Sequence, residues 1–233
     1  MYISHFDSQY WVDSVCPDIN QANKPDQFFL EHTILSSKND TIDGINLSIL
    51  DIFPGELSID MSVDKVNSDN SHHYPVEFLS SINVSGLPLA HLALKPGCPL
   101  MLLHNLDPAN GLCNGTHMVL LKVRMMILRC RILGGNHTGN VIFIPRMTLE
   151  PSSEGHPIEL SHHQFPVHLA FAMTINKAQA QSIINVGIDL HIKVVFPVDS
   201  NSTDTMNIVY IEVLSGMVSF FLLSVVPHLR GGS

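Results

Sequence analysis

The chain has 233 residues, 45% of them apolar and 14% charged, which supplies ample material for a core and excludes a globally disordered polypeptide. Its formal charge of −9 argues against a uniformly basic nucleic-acid binder. The charge is uneven, however: residues 1–90 hold three Lys/Arg against thirteen Asp/Glu, residues 91–149 six against one, and the remainder three against seven, so a basic module lies inside an acidic chain. Phosphates respond to local charge, and that module keeps DNA or RNA open as a partner. Cys16, Cys98, Cys113 and Cys130 form no C-x-x-C pair and read as reduced, mostly buried thiols. His72-His73 and His162-His163 lack neighbours at a familiar ligand spacing, so no metal is expected. No charged segment followed by an apolar one opens the chain, and a secretory leader is not expected.

Residues 1–27, with Asp, Asn and Pro and few periodic apolar positions, read as a loosely structured lead-in. Phe28 to Leu35 has the look of a strand. Ser36 to Asp40 supplies cap-type residues, and Ile42, Ile45, Ile49, Ile52 and Phe53 recur at helical spacing until Pro54-Gly55 ends the helix. Residues 58–74 are polar and read as a surface loop inside a first unit spanning 28–86. From Leu87-Pro88 to residue 150 the style changes. Runs at 92–94, 100–103, 118–123, 126–132 and 141–144 alternate with glycine turns, which argues for a small antiparallel β-barrel. In Leu128-Arg-Cys-Arg-Ile132 the alternation places Arg129 and Arg131 on one strand face. With Lys122 and Arg124 nearby, that face is either simply solvated or a track for phosphates.

Residues 151–200 return to an α/β style. Val167 to Met173 is almost continuously apolar, as in a strand covered on both faces, and Lys177 to Ile184 is rich in helix formers. Thr174 to Lys177 would then lie at a helix N-terminus, where free amides, the dipole and the Lys177 ammonium favour an anion. An ordinary strand-to-helix turn explains the same pattern. Two strand–turn–helix units imply a sheet with helices packed on it, as in nucleotide-binding α/β domains. Residues 201–233 form a divergent tail. Its apolar run 208–226, interrupted by Glu212, Ser215 and Gly216, is open to reading as core, as a membrane span or as out-of-pattern sequence.

Several co-linear segments resemble the C-terminal half of PIF-type superfamily-1B DNA helicases, particularly the copies associated with Helitron transposons. They are Val15-Cys-Pro-Asp-Ile19, Phe29 to Leu35, Asn39 to Asn46, Tyr74 to Leu79, Ser85-Gly-Leu-Pro88, the long block Leu94 to Thr116, Phe143-Ile-Pro-Arg146 and Phe165 to Ser182. The resemblance implies a partial RecA-like (P-loop NTPase-type) α/β sheet domain, the second of the motor, with the family's 2B barrel inserted. It matches Thr174, Asn176, Lys177 and Gln179 to helicase motif V, whose polar residues approach single-stranded DNA and the nucleotide cleft, with Asn39 a weaker candidate on the same face. Lys122, Arg124, Arg129 and Arg131 are the candidate phosphate contacts of the barrel.

The departures are equally specific. No G-x-x-x-x-G-K-S/T occurs, Ala180 stands where the family has glycine, and Gly216 stands where its arginine finger is expected. The intact family motor uses ATP and Mg, but this chain is expected to hold neither alone. Hence the expectation is a segment of an ATP-dependent DNA helicase that contacts single-stranded DNA without turning over ATP, its first RecA-like domain supplied elsewhere. The setting expected is nuclear or otherwise intracellular and reducing. A non-enzymatic protein-interaction module and a membrane-attached fragment are the alternatives.

Overall fold

The computed structural model describes residues 8–66, 87–150, 160–178 and 183–189. The chain opens with helix α1 (Ser8–Val15), whose Val12 and Val15, followed by Cys16 and Ile19, are buried. The lead-in is therefore helical from Ser8 and contributes to the core from Val12 onward. A second short helix, α2 (Asp26–Glu31), starts after Pro25, and strand β1 (His32–Ser36) follows directly. Phe28 to Leu35 is thus half helix and half strand, because an apolar run this short carries no period that separates the two.

Helix α3 (Asn39–Ile52) buries Ile42, Ile49 and Leu50, as its spacing predicts, and ends at Phe53. Its N-cap is Lys38 in an extended conformation with no side-chain cap, so the cap-type residues before it do not serve that role. At its other end Lys95, only 9% exposed, donates from Nζ to the carbonyls of Asp51 (3.1 Å) and Phe53 (2.7 Å), satisfying orphan acceptors of the last turn.

Residues 58–66 are not loop. They form strands β2 (Ser58–Met61) and β3 (Val63–Val66); the rest of the expected loop lies outside the described residues. The polar letters misled because one face of each short strand meets solvent while the other holds buried polar pairs. Asp60 accepts from Arg146 at 3.1 Å, and Asp64 pairs with His162.

The remaining strands are β4 (His91–Leu94), β5 (Pro99–Leu102), β6 (His117–Arg124), β7 (Ile127–Leu133), β8 (Val141–Pro145), β9 (Met147–Leu149), β10 (Leu160–Gln164), β11 (Val167–Leu169), β12 (Ala172–Thr174) and β13 (Asn185–Asp189). The five runs expected between 87 and 150 all appear as strands. Four of them join β11 in an antiparallel sheet of order β11-β5-β6-β7-β8, and β4 pairs with β2. A parallel sheet of order β12-β1-β13 carries α3 on it, and β10 lies between β3 and β9. The result is a partial RecA-like α/β sheet with an inserted small antiparallel barrel.

The apolar run 167–173 is two strands rather than one. β11 closes the antiparallel sheet against β5, and after Ala170-Phe171 the chain enters the parallel sheet as β12 beside β1. Asn46, 1% exposed in the middle of α3, holds this break. Its Nδ2 donates to Leu169 O (3.2 Å) and Ala172 O (3.1 Å), and its Oδ1 accepts from Ala172 N (2.9 Å). The rings of Phe29, Phe53 and Phe171 meet at the same junction, with Phe53 and Phe171 centroids 5.3 Å apart. One continuous core runs from Val12 and Ile19 through Phe29 and Ile49 into Leu100, Met118 and Leu128 of the insertion.

Two outcomes follow from this packing. Asn46→Ala strands the buried carbonyl and amide of Ala172 and leaves Leu169 O only His168 Nδ1, so a loss of about 3 kcal/mol is expected in urea unfolding at unchanged m; a change below about 0.5 kcal/mol would show that the break is held by other contacts. His117, 7% exposed on β6, has its pKa lowered from 6.5 to about 4 by burial. Its folded pKa lies below its unfolded one, so its contribution is complete above pH 6.5 and is lost as pH falls toward 4. Stability should drop by about 2 kcal/mol more in the wild type than in His117→Leu between pH 7 and pH 4.5, and parallel profiles would refute the assignment.

Candidate nucleic-acid interface

The strand ends of the parallel sheet set the geometry. Ser36 at the end of β1 pairs with Thr174 at the end of β12, and Ile175 N donates to Ser36 O at 3.2 Å. The chain then turns rather than continuing as a helix among the described residues. Lys177 N and Ala178 N donate to Thr174 O at 3.0 and 3.2 Å, and Lys177 N also meets Thr174 Oγ1 at 3.4 Å. Those two amides are consumed by Thr174, so the expected anion-binding helix start is not found there. The uncapped helix start at this place belongs instead to α3, whose exposed first residue is Asn39.

Between that start and the strand ends is a cavity of about 130 Å³ lined by Asn39, Asp43, His168, Thr174 and Lys177 over an apolar floor that includes Met101. The sequence-derived candidates Asn39, Thr174 and Lys177 therefore meet. Asn176 is exposed on the turn, away from the cavity lining, and Gln179 and Ala180 lie outside the described residues, as do Gly216 and the run 208–226. Sequence reasoning missed Asp43 and His168. His168 Nε2 lies 2.7 Å from Asp43 Oδ1 and its Nδ1 lies 2.6 Å from Leu169 O, which fixes the ring at both ends. Their only signal in the sequence was a polar residue within an apolar run and another one turn into a helix. Burial lowers the pKa of Lys177, against the pull of Asp43, which raises it.

Such a cavity admits a group of phosphate size. It is well short of the roughly 300 Å³ and more typical of small-molecule sites, and its residues include no phosphate-loop lysine and hydroxyl for ATP and Mg. The residues present do not fit a nucleotide by themselves. Among the described residues no cluster of three or more His, Cys, Asp or Glu could hold a metal ion; His162 is engaged by Asp64, and His163 Nδ1 lies 3.2 Å from Thr148 Oγ1. No helix among them is long and apolar enough to cross a membrane.

The six basic residues of the 91–149 segment divide evenly. Lys95 finishes α3, Arg146 bonds Asp60 and stacks over Phe165 with 5.1 Å to the ring centroid, and Arg131 is held by Asp26 of α2 through Nε at 2.7 Å and a second nitrogen at 2.8 Å. Arg131 is thereby a bridge between the insertion and the α/β part, its guanidinium already paired with a carboxylate while its side chain stays 37% exposed. Lys122, Arg124 and Arg129 are exposed and make no hydrogen bond or ion pair among the described residues.

An α/β sheet with a polar cleft at its strand ends and a basic antiparallel insertion is the layout of a RecA-like helicase domain carrying an accessory barrel. The comparisons agree. The family model described as the DNA helicase Pif1 2B domain matches residues 77–123. The ATP-dependent DNA helicase PIF1 of Xenopus laevis is 30% identical over 164 residues, 68% of this chain, and the chain spans only 23% of that relative's length. The Pif1 helicase of Candida albicans is alike in fold, with TM-score 0.50 at 20% identity over 77% of this chain and 47% of its own. Bacteroides Pif1 bound to ssDNA gives a TM-score of 0.48 at 22% identity, covering 67% and 34%. Together these matches support a segment of a PIF-type superfamily-1B helicase that carries the family's 2B domain at residues 77–123.

Proposed function

We propose that this segment supplies DNA contact within an ATP-dependent DNA helicase and that it has no ATP turnover by itself. One observation carries the reading: Thr174 and Lys177, which the resemblance assigns to motif V, line a single cavity at the strand ends together with Asn39, the weaker candidate on the same face. Phosphate is the ligand class that fits the lysine, the hydroxyl, the uncapped start of α3 and the cavity's size. Lys122, Arg124 and Arg129 add electrostatic contact from the barrel, while Asn176 and Gln179 are the remaining residues that the motif V resemblance carries over. ATP and Mg would be held only together with a first RecA-like domain, which brings the phosphate loop. The buried thiols Cys16, Cys98 and Cys130, whose pKa values burial raises to about 12, suit a reducing intracellular setting, nuclear or otherwise.

Fluorescence anisotropy with an oligothymidylate of about 16 nucleotides over a salt series tests the first half. Three or four phosphate contacts predict a slope of log K against log salt of about −2 to −3, and undetectable or salt-independent binding would sink the DNA claim. The second half predicts no phosphate release from ATP by the purified chain, with or without DNA; DNA-stimulated release would overturn it.

A further inference from the structure

The three cations of the 91–149 segment that have no partner among the described residues are gathered by one irregularity. From His117 to Leu120 every residue of β6 is buried; then the register against β7 shifts, so that Leu120 opposes Cys130 but Lys122 opposes Arg129. Cys130 and Arg129 are neighbours on opposite faces, so the extra residue Leu121 turns Lys122 and Arg124 outward onto the face that Arg129 already occupies. On the other side of β7, Arg129 opposes Phe143 of β8. One row across three strands therefore reads Lys122, Arg129, Phe143, with Cβ atoms of directly opposed residues about 5 Å apart. The next row reads Arg124, Ile127, Pro145. Phe143 is 58% exposed and Ile127 38%.

Two features of this face call for a ligand. Like charges directly opposed on a sheet repel, and here Lys122 and Arg129 face each other with no carboxylate among the described residues to answer them. An aromatic ring lies open to solvent at the end of the same row. α2 covers only the far part of the face, where Asp26 takes Arg131.

We propose that the outer face of β6, β7 and β8 is a base-stacking platform for unpaired nucleic acid, with Phe143 taking the face of one base and Arg129 and Lys122 the flanking phosphates. The charge requires a polyanion, and the ring requires one whose flat apolar faces are uncovered. A base in a duplex is stacked on both sides, whereas a base in a single strand is free to lie on Phe143. The platform rests on the reading of the chain as a DNA-contacting segment and adds to it a discrimination for unpaired bases that phosphate contacts do not give.

The experiment uses the full chain with three probes of equal length: oligothymidylate, an abasic oligonucleotide with the same phosphates, and a blunt duplex. The wild type should prefer oligothymidylate over both others by about tenfold, since stacking one base is worth a factor of that order. Phe143→Leu should lose that preference with its salt slope intact, and its exposed position leaves the core untouched, as circular dichroism would verify. Lys122→Ala/Arg129→Ala should weaken oligothymidylate and abasic probe alike and make the salt slope shallower by about 1.4. Phe143→Leu binding as the wild type does would overturn the platform, as would unchanged binding by the double variant. Salt-dependent wild-type binding in the same assay would still leave the broader DNA reading standing, and no binding of any probe by the wild type would overturn both.

Discussion

The carboxamide of Asn46 is the constraint on which the rest of the structure depends. Among the described residues it is the one side chain that bonds to both sides of the break between β11 and β12, and that break is where the chain leaves the barrel's sheet for the parallel one. A backbone passing between two sheets loses its ladder partners for a residue or two, and buried peptide groups without partners are costly. A helix side chain with both a donor and an acceptor resolves this in place. The consequence reaches the cavity: His168 lies just before the break and Thr174 just after it, and both are positioned by where α3 pins the chain.

Much of the fold was legible because its signals were long and periodic. Ile42, Ile45 and Ile49 mark a helix with no competing explanation, and the strands of the insertion are separated by turn glycines such as Gly111, whose φ of 79° suits no branched side chain. The failures share a physical cause, namely that periodicity says how residues face and not which sheet they join. Val167 to Met173 is apolar throughout because both of its strands are buried, so nothing in the letters marks the change of sheet. β2 and β3 look like loop because their inner positions are polar pairs, Asp60 with Arg146 and Asp64 with His162. The site was legible to the extent that it was a motif. Thr174 and Lys177 announced themselves, whereas Asp43 and His168 acquire meaning only through a contact 125 residues apart in the chain.

Charge was the least readable quantity. The excess of basic residues in the insertion suggests a uniform coat, but half of them are internal fittings. Lys95 is a helix cap, Arg146 a buried partner, and Arg131 a strut to α2. What is left without a partner among the described residues of the insertion is a smaller and more directed set, confined to two neighbouring strands. Composition counts cations, and only packing distinguishes those that hold the protein together from those that can meet something else.

The register shift at Leu121 has a consequence for how this segment tolerates genetic change. Deleting Leu121 would close the bulge with Leu120 still opposite Cys130 and Lys122 still opposite Arg129, whereas one residue inserted after Lys122 would restore no such pairing and would aim Arg124 at the core side of β6. Substitutions along this strand can accumulate gradually, whereas a single-codon gain beyond the bulge acts on every later residue of the strand at once. Among lineages that carry this insertion, a residue lost at position 121 should therefore be met more often than one gained after it.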